Sequence, residues 1–206
     1  MTLAVWTAYV VTVLMFMVTP GPSHLLMVSN SLSHGFRRSL ATGMGDLTAN
    51  ALQMLAAGFG LSTLLMSSGE AFLVVKWLGV AYLLWMGLNK LLRPTQSDLQ
   101  EAKPASSTQL FLQGFVTSAA NPKAVVFFAA LFPQFIEPEL AVGPQLLALG
   151  ATYIAIDGLF LACYGAGAQW LAQSLTGALR SRLDRAVGLC LIGAAVLLGA
   201  KSLPQR

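Results

Sequence analysis

Six apolar stretches, at residues 5–30, 41–66, 72–92, 110–132, 146–171 and 186–203, decide what this chain can become. At 1.5 Å per residue each helix would cover roughly the 30 Å of hydrocarbon in a bilayer. Only 10% of the residues are charged and 56% are hydrophobic, with mean hydropathy +0.69, against about 25% charged in an ordinary soluble domain. The expected fold is all-α and integral to a membrane, with six transmembrane helices. The first stretch has no cationic segment before it and no small-residue cleavage site after it, so it reads as a retained helix and not as a signal peptide.

Lysine and arginine near the span ends set the orientation. Arg37 and Arg38 lie between spans one and two, Lys90, Arg93 and Lys103 between three and four, and Arg180, Arg182 and Arg185 between five and six. The alternate loops carry Glu70, or Glu137 and Glu139. Both termini are therefore expected in the periplasm. The net charge of +4 follows from this bias and calls for no nucleic acid. The polar, Pro/Ser-containing segment 93–109 reads as a cytoplasmic linker between repeat one (1–92) and repeat two (110–206) of a single transporter domain.

The two halves share a pattern. Span one is interrupted by "TPGP", Thr19 to Pro22, and span four by "NPK", Asn121 to Lys123; the next span in each half carries one acid, Asp46 or Asp157. Because three spans is an odd number, the halves must be inverted relative to each other, an arrangement found in secondary transporters. Proline has no N–H and clashes with the carbonyl four residues back. Pro20, Pro22 and Pro122 are thus expected to free the carbonyls of Phe16, Val18 and Ser118, at about 3 kcal/mol per break. Backbone groups freed inside lipid are tolerated only where protein or a wet cavity meets them. With span one running inward and span four outward, the half-helices after the breaks point their N-termini at each other, and two such ends suit a carboxylate. A lone proline would read as a packing kink; two matched breaks read as a binding site.

An Asp or Lys near the bilayer centre costs about 2.5 to 3.5 kcal/mol, so each needs a partner or a function. Lys123, placed where a helix dipole repels a cation, is expected to pair with an aspartate or with a substrate carboxylate. Asp157 is expected at the midplane and Asp46 nearer the cytoplasmic entrance, where a cap or Arg37 and Arg38 would also explain it. Two acids against one lysine leave a negative charge for an ammonium group or a proton. If both compete for one carboxylate, exchange follows. Asp157 and Asp46 are the candidates for proton coupling.

Among the neighbours, Thr19 and Asn121 precede prolines and can cap the downstream half-helices. Asn50 shares a face with Asp46 and can line the path or bond another helix. Gln53 is a weaker candidate, and His24 can either relay protons or be hydrogen-bonded. Glycines 43, 45, 58, 60, 165, 167, 188 and 193 are expected to allow close helix packing. Cys163 and Cys190 read as small buried apolar residues.

The motifs "TPGP", "SHGFRRSLATGMGD", "VVKWLGVAYLLWMGLNKLL", "FLQGFVTSAANPKAVVFFAALFPQFIEP" and "RAVGLCLIGAAVLLGAKSL" together resemble the LysE/RhtB family of bacterial amino-acid exporters over essentially the whole chain. The resemblance implies an inner-membrane exporter of amino acids or close derivatives, driven by the proton gradient and able to form a homodimer. Ser23 and His24 follow TPGP where that family often has Asn, a departure that bears on the substrate. The residues expected to bind substrate are Thr19, Pro20, Gly21, Pro22, Asp46, Asn50, Asn121, Pro122, Lys123 and Asp157. A small neutral side chain fits the single spare acid. The alternative is a cation exporter of the same superfamily, against which stand the lack of a Cys/His ligand cluster and the charge of Lys123. A hydrolase built on Ser23, His24 and Asp46 is disfavoured because adjacent helical residues point apart. No cofactor motif appears.

Overall fold

The computed structural model describes residues 1–58, 105–137 and 139–174, with further helical positions scattered through 77–92 and 185–196. Segment 93–104 of the expected linker, most of span three and the last part of span six, with Gly60, Glu70, Arg180 and Arg182, lie outside the described residues. Every described element is helical. These are α1 (Leu3–Val18), α2 (Pro22–His34), α3 (Phe36–Gly58), α4 (Ser107–Ala119), α5 (Pro122–Val126), a π-helical turn (Phe127–Leu131), a 3-10 turn (Phe132–Phe135) and α6 (Val142–Ser174).

Local chemistry sets several of these boundaries. Thr2 caps α1 by accepting from the Val5 N–H, and Ser106 with Gln109 forms a reciprocal capping box at the start of α4. Between α1 and α2 the chain runs through Thr19, Pro20 and Gly21, and the two axes are bent by 55°. The join of α2 to α3 is a single residue, Gly35, at φ 80°. That conformation suits glycine because a Cβ would crowd the backbone there.

Among the described residues, Val142–Leu171 is long and apolar enough to cross a membrane, and α1 with α2 passes the same test as a bent pair. The distribution of side chains is that of a protein turned toward lipid. Leu147 is 75% exposed and Met15 73%, whereas Asp46, Asn50, Ser118 and Asp157 are buried, the reverse of the usual preference in water.

The helices meet at small residues. A Cβ on Gly45 would stand 2.0 Å from the carbonyl oxygen of Phe111, and one on Gly114 would stand 1.9 Å from that of Thr42, so α3 and α4 touch backbone to backbone. Gly58 and Gly165 are also in close contacts, whereas Gly43, Gly167 and Gly193 have open space beside them. Near Gly35, Asn30 donates to Thr42 Oγ1 (2.8 Å) and Gln113 Oε1 (3.1 Å), and the Phe36 N–H donates to Gln169 Oε1. Away from that end, Tyr9, Phe127, Phe128, Phe132 and Tyr153 form a buried aromatic core. The polar centre lies between these two regions.

Candidate functional site

The two helix breaks come together in space. Asn121 Nδ2 donates to Ser23 Oγ at 3.3 Å, and a Cβ on Gly21 would lie 3.6 Å from that same nitrogen and 3.5 Å from Lys123 Cδ. Of the carbonyls that proline chemistry is expected to free, those of Phe16 and Ser118 have partners from the opposite half of the sequence. Lys123 Nζ donates to the carbonyls of Phe16 and Thr19 and lies 4.4 Å from the centre of the Phe16 ring, a cation–π arrangement. Gln53 Nε2 reaches the carbonyls of Ser118 (3.3 Å) and Ala119 (3.4 Å). Lys123 therefore takes backbone oxygens, whereas the sequence suggests an aspartate or a substrate carboxylate as its partner.

At the second break Asn121 caps the new helix by accepting from the Lys123 N–H at 3.1 Å. The first break has no such cap: α2 starts from Gly21 without a side-chain hydrogen bond, and Thr19 is exposed. The contribution of Thr19 here is its carbonyl. Pro20 is exposed as well, Gly21 and Pro22 are buried, and Pro122 occupies the first position of α5.

Asp46 and Asp157 meet over a single side chain. Asn50 Nδ2 donates to Asp46 Oδ2 at 2.9 Å and to Asp157 Oδ2 at 2.8 Å, while Asn50 Oδ1 accepts from Ser118 Oγ at 2.9 Å. This fixes the amide orientation, since the reverse would aim an oxygen at two carboxylates. Both acids are 2% exposed. Asp46 is deeper than expected because α3 begins at Phe36, immediately after Gly35, and not at residue 41. Ten residues at 1.5 Å each carry Asp46 about 15 Å into the helix, away from the exposed Arg37 and Arg38.

A cavity of about 20 Å³ opens among these groups, lined by Ser23 and His24 of α2, Asp46 and Asn50 of α3, Asn121 and Lys123 of the second break, and Tyr153 and Asp157 of α6. That is room for one water molecule and too little for an amino acid. Sequence reasoning leaves Tyr153 and Ser118 off the candidate set and gives His24 only as a proton relay or a hydrogen-bonded residue, outside the substrate-binding list. The serine is legible as the residue four before Pro122, but Tyr153 gives no signal without the packing. Among the described residues no three His, Cys, Asp or Glu side chains group as a metal ion would need.

Bent or interrupted helices around buried charges, with apolar side chains outside, define a membrane transporter in physical terms. Residues 14–202 match the family model of the LysE type translocators, and the chain belongs to that family. It is 34% identical over 204 residues to a homoserine/homoserine lactone efflux protein of Salmonella typhimurium, covering 98% of this chain and 99% of that one. It is 34% identical over 200 residues to an uncharacterized membrane protein of Vibrio cholerae, covering 96% and 98%. With a leucine efflux protein of Enterobacter it shares 29% identity over 161 residues, 76% of this chain and 75% of the relative. No solved structure matches the chain significantly. The protein is thus a membrane-embedded translocator.

Proposed function

We propose that the protein exports a small neutral amino acid, or a close derivative, across the bacterial inner membrane in exchange for protons. The topology of this reading is six spans in two inverted three-helix repeats, 1–92 and 110–206, with the 93–109 linker in the cytoplasm and both termini in the periplasm. The relatives named for efflux of homoserine and of leucine support the substrate class.

One observation carries the mechanism: two buried carboxylates share one neutral amide hydrogen-bond donor, and their cavity also holds Lys123. Two such acids call for a counter-charge. A substrate ammonium can supply it, and so can a proton, and the two are then mutually exclusive. The substrate carboxylate takes Lys123, which must first release the carbonyls of Phe16 and Thr19. This exchange of partners also enlarges a cavity too small for an amino acid. Substrate binds from the cytoplasm to the ionised acids, and a proton from the periplasm displaces it.

The test is efflux from proteoliposomes loaded with radiolabelled homoserine, leucine or alanine, with an imposed pH gradient. The parent should accelerate efflux when the outside is acid, and Asp157→Asn should lose that acceleration. Efflux insensitive to the gradient would remove the antiport mechanism, and transport of a divalent cation in place of amino acids would replace the substrate class. If net charge crosses, voltage also drives transport, at about 2.3 kcal/mol per charge per 100 mV.

A further inference from the structure

The exchange scheme uses Asp46, Asp157 and Lys123 and leaves His24 idle, although its imidazole is the side chain suited to take up and release a proton near neutral pH. His24 is 5% exposed and lines the same cavity. Among the described residues neither ring nitrogen has a hydrogen-bond partner, which leaves two buried polar atoms unsatisfied. Its Nε2 lies 3.7 Å from Asp157 Oδ1, and the ring packs edge-on against Tyr164 at 5.0 Å between centroids. The two oxygens of Asp157 are divided: Oδ2 accepts from Asn50, and Oδ1 faces the histidine. The other titratable groups around the ring and its cavity are Asp46 on α3, Lys123 on α5, and Tyr153 and Tyr164 on α6. Of these, Asp46 is bonded to Asn50 and Lys123 is occupied by backbone carbonyls.

We infer that His24 is the proton carrier to and from Asp157, an inference that rests on the antiport reading above. A hydronium ion on the periplasmic side gives its proton to the imidazole and becomes water. The ring then closes the 3.7 Å gap to hydrogen-bond range, its Nε2–H bond breaks and an O–H bond forms at Asp157 Oδ1. The imidazolium becomes neutral imidazole, the carboxylate becomes a neutral acid, and the substrate ammonium loses its counter-charge and leaves. On the cytoplasmic side the same proton returns through Nε2 to water, restoring the carboxylate for the next substrate. A buried histidine with a structural role alone is as a rule hydrogen-bonded; this one is placed beside an acid, and among the described residues both its nitrogens are uncommitted.

The experiment compares two modes of transport in the same proteoliposomes: homoserine efflux driven by an imposed pH gradient, and exchange of labelled for unlabelled homoserine without a gradient. Positioned proton-transfer groups are worth about 10²- to 10⁴-fold, so His24→Gln should lower the ratio of driven efflux to exchange by about 100-fold. An unchanged ratio in His24→Gln, with the parent coupled, would overturn the role of His24 alone. A parent that exchanges homoserine but ignores the gradient would overturn the antiport reading and this inference with it. A second measurement needs neither substrate nor a stable His24 variant. The chain has two histidines, so in ¹⁵N-histidine-labelled His34→Gln protein the ring signals belong to His24. Their titration midpoint should move by about one pH unit when Asp157→Asn is added; no movement would separate the two groups and overturn the proposal.

Discussion

The two helix breaks solve the same backbone problem by different means. At the second, the repair is neutral and largely local: Asn121 accepts from the Lys123 N–H and the Asn121 N–H turns back to the Ser118 carbonyl at 3.0 Å, with Gln53 of α3 adding a neutral donor to that carbonyl. At the first, α2 has no side-chain cap, the axes bend by 55°, and the carbonyls of Phe16 and Thr19 share one ammonium group from the other half of the sequence. A neutral local cap has nowhere else to go. A lysine held by carbonyls can be drawn off by a better anion, because its bond to a carboxylate is charge-assisted on both sides. The difference makes the first break the responsive one and the second the fixed one.

The largest effect should come from Lys123→Met, which keeps the length of the side chain and removes the donor. It strips both carbonyls of their partner and leaves the buried acids without a nearby cation, so we expect a loss of about 3 kcal/mol in stability and of substrate binding. Thermal unfolding of the purified protein in detergent, with homoserine binding by calorimetry, reads both. A variant as stable as the parent would remove the first break's dependence on this lysine.

Next come the prolines themselves. Pro20→Ala and Pro122→Ala each allow a helical hydrogen bond to re-form, and both should abolish the proposed amino-acid export while the protein still inserts. Full export by both would reduce the breaks to packing kinks. The comparison sharpens if Pro20→Ala also releases Lys123, seen as faster modification of this residue by an amine reagent, while Pro122→Ala does not.

Smaller effects follow from the caps. Asn121→Ala should cost about 1 kcal/mol, the usual value of an N-cap, and unfolding in detergent would show it. Thr19→Val should stay within about 0.5 kcal/mol of the parent, because its hydroxyl caps nothing and its carbonyl survives the change. A Thr19→Val loss as large as that of Asn121→Ala would make the two breaks equivalent after all.

How far this could be read from sequence depends on the range of each interaction. The positions of the breaks, and the freed carbonyls of Phe16 and Ser118, follow from proline and a four-residue offset. Their partners do not, since Lys123 is 107 residues from Phe16 and Gln53 is 65 from Ser118. Asp46 was placed too shallow because a polar SHGFRR segment looks like a loop, whereas Gly35 alone makes the turn and the arginines are already helical. Gly114 was overlooked because its reason for being glycine is the Thr42 carbonyl on another helix. For His24 the sequence offers a relay role by residue type alone; that neither nitrogen has a partner among the described residues, and that an acid lies beside it, are products of packing.

The contact of Gly45 and Gly114 with the facing backbones bears on how such a machine can cycle. Helices touching main chain to main chain have no side-chain cushion through which to slide, so α3 and α4 behave as one casting. Asp46, Asn50 and Ser118 are all mounted on it. Asp157 and His24 belong to other helices, and Asn50 holds Asp157 across the divide by a single hydrogen bond. In the exchange proposed above, any rearrangement that parts α6 from this unit would have to break the Asn50–Asp157 hydrogen bond.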